Sequence, residues 1–253
     1  MAASGLGTTT LGAAAQAKQL LRISKTGALA TLGVETGAPL TTQVGCASDV
    51  DGSPLFLLST LAQHTRNLAA DPRASLLLAS SANRGDPLNC PRVSLGGLIL
   101  PDPAPGARRR YLQRNPKAEL YARFQDFAIF RMRIDSVHYN GGFGRADALT
   151  PADLLTPDGD AAALIEAEDG LLAWINGAEG ALAGRLAAGS GPRRHAWRAV
   201  GLDPEGLDLA AGRLAVRVDF AAPAFDPLSW RSRLEDTLIA LGARRAGPVP
   251  HQP

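Results

Sequence analysis

Histidines are where chemistry would first be sought in this chain, because a neutral imidazole serves as general base and as metal ligand. The four are His64, His138, His195 and His251. No two stand at metal-ligand spacing and no HExxH-type pair occurs, so spacing alone does not build a metal centre. His64 has the richest setting, inside the segment LFLLSTLAQHTRNLAADPRASLLL from Leu55 to Leu78. Leu55 to Leu58 is an apolar run of strand length. Thr60 with Gln63 three residues on matches a capping box and predicts a helix start. On that helix Leu61, Thr65 and Leu68 share one face, while His64 and Asn67 share another. Asp71-Pro72 ends the helix, and Ala74 to Ser80 resumes as a strand. The first helical turn would offer unpaired N–H groups and a positive dipole end to an anionic ligand. The same pattern also describes an ordinary capped connection between two strands.

Other chemistries lack their signatures. There is no GxSxG elbow, no Walker loop and no GxGxxG after a strand, which leaves hydrolase, kinase and dinucleotide readings poor. Gly141, Gly142, Phe143 and Gly144 read as a backbone corner that needs positive φ. Cys46 and Cys90 are far apart, with no CxxC and no disulfide framework, and read as reduced. His138, next to Tyr139 near a strand end, reads as structural, and His251 sits in a Pro-rich tail. A net charge of +2 gives no argument for nucleic-acid binding. The run Arg108, Arg109 and Arg110 follows the turn Pro101 to Gly106 and reads as a solvated helix start. No stretch of about twenty apolar residues is present to span a membrane. The N-terminus lacks a basic region followed by a long apolar core, so it does not read as a convincing signal peptide. The simplest reading is a cytoplasmic protein of bacterial type, with an organelle transit segment left open.

The elements that would position these residues are mostly strands. Hydrophobic residues make up 45% of the 253-residue chain, enough for a real core. Residues 1–10 read as disordered and Leu11 to Ser24 as a helix. Strands follow at Gly27 to Val34, Leu40 to Ser48, on both sides of the His64 helix, and at Arg92 to Leu100. Arg108 to Asn115 and Lys117 to Phe124 read as helices. Ala128 to Tyr139 is the longest strand: Phe130, Met132 and Ile134 alternate with Ile129, Arg131 and Arg133, so that one face carries two arginines. Many closely spaced strands predict a closed or nearly closed barrel over residues 11–148. A linker is expected at 149–160, then a small α+β domain at 161–245 and a flexible tail at 246–253. In that second domain Leu214, Val216, Val218 and Phe220 alternate as a half-buried strand, and Asp226 to Leu241 is a closing helix.

LSTLAQHTRNLAADPRASLLL resembles the signature of the haem-utilisation (HugZ-type) branch of the pyridoxamine 5′-phosphate oxidase-like split barrels. Further segments fit the same branch: Ala28 to Leu32, Pro87-Leu88 with Pro91-Arg92-Val93, and Gly141 to Ala146. Val200 to Leu209 resembles the small DUF2470-like domain that often follows the barrel. The resemblance covers most of the chain in the right order. It implies a mainly β plus α+β fold, a split β-barrel of the FMN-binding type followed by a small α+β domain. It also implies a homodimer with a cofactor cleft between subunits. In flavin-binding relatives the helix after this strand carries a Ser-Arg-Lys run that holds the flavin phosphate. The positions here are Gln63, His64 and Thr65, so both cations are gone, at a cost of about 1.5–3 kcal/mol each. FMN, the alternative cofactor, would have to rely on the helix N-terminus, Ser59, Thr65, and Arg92 or Arg131. Haem is the cofactor the resemblance favours, for haem breakdown or a related redox step. His64 is then the candidate haem ligand, and Asn67 a further contact. Arg92, Arg131 and Arg133 are candidate propionate partners, or equally a solvated strand face. Relatives carry a two-histidine segment in the second domain; here it reads Trp174, Ile175, Asn176, Gly177, Ala178 and Glu179, and only Asn176 matches. Some plant relatives bind an enzyme of tetrapyrrole synthesis, so a non-catalytic tetrapyrrole-binding or regulatory scaffold with such a partner stays open beside the oxidoreductase reading.

Overall fold

The computed structural model describes residues 12–80, 86–142, 146–156, 161–177, 181–188 and 196–245. The expected disordered N-terminus and mobile tail lie outside them, as do His195 and His251. The chain opens with α1 (Ala13–Ile23), in which Ala17, Leu20 and Leu21 recur at helical spacing and enter the barrel core. There follow β1 (Thr26–Leu32), β2 (Pro39–Gly45), β3 (Ala47–Ser48), β4 (Pro54–Ser59), α2 (Gln63–Ala70), β5 (Arg73–Ala79) and β6 (Arg92–Pro101). Next come α3 (Pro105–Arg114), α4 (Glu119–Ala122), β7 (Phe127–Asn140), β8 (Ala146–Leu149) and α5 (Pro151–Leu154). The second part holds α6 (Ala162–Asn176), α7 (Ala181–Ala187), β9 (Arg198–Asp203), β10 (Gly206–Ala211), β11 (Leu214–Asp219) and α8 (Pro227–Arg245).

The first sheet has eight strands in the order β2-β1-β5-β6-β7-β4-β3, with β8 on β7. Only Cys46 separates β2 from β3, although they lie at opposite ends of that order. The chain therefore carries one sheet edge round to the other, and the sheet curls into a split barrel. The side chains explain the curl. Every residue from Pro54 to Leu58 is buried: Phe56 and Leu58 point into the barrel core, while Leu55 and Leu57 pack under α3 and α4. A strand covered on both faces reads as an unbroken apolar run, and each fully buried leucine contributes about 1.5–3 kcal/mol. On β7, Phe130, Met132 and Ile134 enter the barrel, while Ile129 joins the outer cluster.

Two glycines are demanded by this path. The β6–β7 register shifts between Gly96 and Gly97, and a Cβ on Gly97 would lie 1.9 Å from the Arg133 carbonyl oxygen. Only glycine lets the two backbones approach at that bulge. Gly142 has φ of 121°, the positive-φ corner expected of the Gly141 to Gly144 segment; Phe143 to Arg145 lie outside the described residues.

Residues 149–156 do not form a linker. Leu149 closes β8, and Thr150 with Asp153 makes a capping box on α5 with Pro151 at its start. Leu154 is fully buried in the barrel core and Thr156 is buried as well. The proline that suggested a flexible segment is a helix-initiating proline. The second sheet, β11-β10-β9, is antiparallel and packs with α6, α7 and α8 around Trp230, Trp197 and Leu207.

Candidate functional site

α2 begins two residues later than the capping-box pattern implies. Its N-cap is Ala62, and no side chain caps it. Thr60 lies outside the helix because its N–H donates to the Asp126 carbonyl at 2.7 Å. Ser59 joins the same anchor: its hydroxyl donates to the Asp126 carboxylate at 2.5 Å and accepts the Leu61 N–H at 3.1 Å. This loop is thus pinned to the turn before β7, a long-range contact that no local pattern encodes. The later start also corrects the helix faces. Leu61 is 72% exposed, while Asn67 is buried with Thr65 and Leu68. Asn67 donates to the Thr31 hydroxyl at 3.0 Å and accepts from Gln63 at 3.0 Å, so it ties α2 to β1.

His64 stands in the first turn of α2, half-buried, with Nδ1 3.1 Å from the Thr42 hydroxyl on β2. Burial lowers its pKa, which keeps the ring neutral at physiological pH. Nε2 has no protein partner among the described residues. One residue on, the Thr65 hydroxyl is buried and makes no hydrogen bond, an uncommon state for a buried polar group. An uncapped helix N-terminus, an unpartnered hydroxyl and a neutral imidazole therefore lie within three consecutive residues. The stretch before Asp126, to which Ser59 and Thr60 are tied, is apolar: Leu120 and Phe124 are exposed, and the rings of Tyr121 and Phe124 lie 5.0 and 6.5 Å from that of Phe127.

The candidate arginines are not gathered at this place. Arg92 donates to the Leu88 carbonyl at 2.8 Å and the Cys90 carbonyl at 3.4 Å. Arg131 shares strand parity with Ile129 and turns to the α3 side of the sheet, where it pairs with Asp49, Asp51 and Asp102. Its charge is thereby neutralised away from α2. Arg133 is exposed and pairs with Asp135. His138 is exposed on β7, opposite Ser94 and Ala148. Among the described residues no group of three or more His, Cys, Asp or Glu could hold a metal ion.

A second constellation was invisible to sequence patterns. Arg110, at the end of the run expected to be solvated, is buried and pairs with Glu168 and Asp49. Arg109 also reaches Glu168, at 3.0 Å. Arg22 and Arg217 both meet Asp203, at 3.3 and 2.5 Å, and Arg114 lies 3.3 Å from Asp208. Burial alone would raise the Asp203 carboxyl, but the Arg217 and Arg22 guanidiniums hold it well below the usual carboxylate range. α1 and α3 supply four of the arginines, and α6, β9 and β10 supply the acids Glu168, Asp203 and Asp208, with Asp49 from the turn after β3. The network is a seam between the two sheets. Beside it a cavity of about 280 Å³ opens between α1 and β11, lined by Lys18, Arg22, Glu205 and Arg217.

In the Trp174 to Glu179 segment, Trp174 to Gly177 are described and Ala178 and Glu179 lie outside the described residues. The Asn176 side chain donates to the Ala199 carbonyl at 2.9 Å and accepts its N–H at 2.8 Å. It thus pairs with β9 beside the register shift at Asp208/Leu209. Trp174 does not join the core: it is 44% exposed, with the Arg231 guanidinium 5.1 Å above its ring.

A curled antiparallel barrel with a pinned helix across its end, followed by a small three-stranded unit, defines a split-barrel protein. Residues 8–155 match the family described as "CREG, beta-barrel", and the chain belongs to that family. A structure of a protein of unknown function from Agrobacterium tumefaciens superposes with a TM-score of 0.79 at 33% identity, over 92% of this chain and 96% of that one. The structure of a heme binding protein from Mycobacterium smegmatis superposes with a TM-score of 0.54 at 26% identity, over 93% and 100%. In sequence the chain is 35% identical over 113 residues to "Non-canonical heme oxygenase HOZ, chloroplastic" of Arabidopsis thaliana. That match takes in 44% of this chain and 34% of that protein, so the chain spans about a third of the curated relative's length. Among the described residues no helix is long and apolar enough to cross a membrane.

Proposed function

We propose that this is a haem-binding split barrel of the haem-utilisation branch, with a DUF2470-like second domain, acting as a homodimer in haem breakdown or a related redox step. The observation that carries the reading is His64: a neutral imidazole with Nδ1 engaged by Thr42 and Nε2 left without a protein partner. Such a nitrogen is what an axial ligand presents. The α2 N-terminus and the unpartnered Thr65 hydroxyl would take a propionate. Leu61, in the loop that leads into α2, supplies exposed apolar surface. Haem held there would contribute its redox-active iron; the chain's part is to ligate, orient and cover it. The haem-related names of two relatives support the same reading.

FMN is disfavoured. Its phosphate lacks the two cations of flavin-binding relatives, and Arg131, offered as a substitute, is bound by three aspartates. A scaffold that binds tetrapyrrole without turnover, docking on a protein of that pathway, is the second reading. It is favoured by the structural use of Asn176 where relatives have a histidine-bearing segment. Haem titration of the purified chain separates these possibilities. A Soret band is expected, weakened or shifted in His64→Ala. Turnover with a reductant and oxygen then distinguishes enzyme from scaffold. An identical Soret band and affinity in His64→Ala would remove His64 from the site.

A further inference from the structure

Thr42 belongs to no candidate set, yet among the described residues it is the side chain that holds the His64 ring. It lies on β2 opposite Leu29 of β1, half-buried, with its hydroxyl 3.1 Å from Nδ1. Resting on the haem reading of His64, we infer that Thr42 is a positioning residue: it accepts the Nδ1–H of His64 and so fixes the tautomer in which Nε2 carries the lone pair.

A neutral imidazole has one N–H and one bare nitrogen, and a hydroxyl can face either. The two arrangements differ in what they leave behind. If Thr42 donated to Nδ1, the ring proton would sit on Nε2, where no acceptor stands among the described residues. A neutral ring in that form has no lone pair on Nε2 and cannot ligate a metal through it. If Nδ1–H donates to Thr42, the donor is satisfied and only a lone pair stays open. The Thr42 hydroxyl keeps its own proton for solvent, which its half-exposure allows. The open lone pair is then the one a metal would use. An outer partner that fixes the second ring nitrogen is the common device for orienting a ligating histidine.

The arrangement also joins two distant parts of the barrel. α2 is tied to β1 through Asn67 and Thr31, and to the turn before β7 through Ser59 and Asp126. These contacts fix the backbone of α2 but leave the His64 χ angles free. Thr42 supplies the missing constraint from a third element, β2. A β-branched residue is suited to this, because its restricted χ1 fixes where the hydroxyl points. The geometry does not need haem, so it can be tested without it.

The experiment has two arms, both on the full-length chain. In the first, the protein is labelled with ¹⁵N-histidine and the ring nitrogens are read by NMR without haem, with His64→Gln used to assign the signals. The expected result is a bare Nε2 and a protonated Nδ1 on His64. Thr42→Val should shift the ring toward the Nε2–H tautomer, and Thr42→Ser should restore it. Circular dichroism confirms that both variants fold. In the second arm haem is titrated: Thr42→Val should bind about tenfold more weakly, with an altered Soret band, and Thr42→Ser should recover most of the affinity. A protonated Nε2 in the wild type, or a His64 spectrum unchanged in Thr42→Val, overturns the assignment. If the tautomer arm holds but the wild-type protein binds no haem, the positioning role stands and the haem reading falls.

Discussion

The chemistry of His64 is set by burial and by one hydroxyl, and both effects have measurable consequences. Burial lowers its pKa below the ordinary 6.5. Unfolding exposes the ring, so below that value the unfolded state binds more protons than the folded one. The sign follows: His64 costs the fold nothing above its unfolded pKa and destabilises it as pH falls through the folded value. The wild type should therefore lose stability relative to His64→Gln as the pH falls below about 6.5. Urea melts of both proteins across that range would show it. Parallel loss in the two would mean that His64 titrates alike in both states. The same reasoning separates Cys46 from any redox role, since burial pushes its thiol up to about 12 and keeps the nucleophilic thiolate away.

Among the elements, α1 and α3 decide whether the two sheets are independent. Each carries arginines that are buried only because β9, β10 and α6 bring acids to them: Arg22 meets Asp203, Arg110 meets Glu168, and Arg114 meets Asp208. Lys18 on α1 adds a 2.8 Å pair with Glu205, whose carboxylate also accepts the Thr156 hydroxyl at 2.7 Å. Removing one side of a buried pair costs about 3–5 kcal/mol, because a charge is left without its partner. Deleting the second sheet unpairs several such charges at once, and a domain's whole stability is only about 5–15 kcal/mol. A linker at 149–160 would let a chain ending near Pro157 retain the full chain's cofactor affinity, provided the barrel stays folded. The seam predicts otherwise: that fragment should be unfolded or molten, and the full chain should melt in a single transition. A cooperative melt of the fragment near the full-length temperature, followed by circular dichroism, would show the seam to be dispensable.

At the scale of the molecule, the outer face formed by β1, β5 and β6 is smooth and poorly covered. Ala28, Ala30, Ser75, Leu77, Ser94 and Gly96 line it in register, and Leu77 is 38% exposed. β2 presents an open edge as well. Small side chains and an open edge suit a second flat sheet, which is the physical support for the proposed homodimer. Light scattering at micromolar concentration should report twice the chain mass. A monomer there would sink the dimer and with it any cleft built from two subunits.

How much of this was legible depends on the range of the interactions concerned. Strand positions, the α2 stop at Asp71-Pro72 and the two-faced β7 follow from alternation and from proline, which act over a few residues. The resemblance carried by LSTLAQHTRN added the barrel itself. Local pattern failed at Thr60, where a capping signature lost to a backbone bond from the Thr60 N–H to the Asp126 carbonyl. It failed again at Pro151, which starts a helix whose Leu154 fills the barrel core. Arg110 and Arg131 carry no local mark of their fates, since a guanidinium reads as solvated until a carboxylate distant in the chain is brought beside it. His64 was visible as a candidate by type and position. That its Nδ1 meets Thr42, 22 residues away, was decided only when β2 folded against α2, because hydrogen-bond partners follow from the strand order of the closed sheet and not from neighbours in the chain.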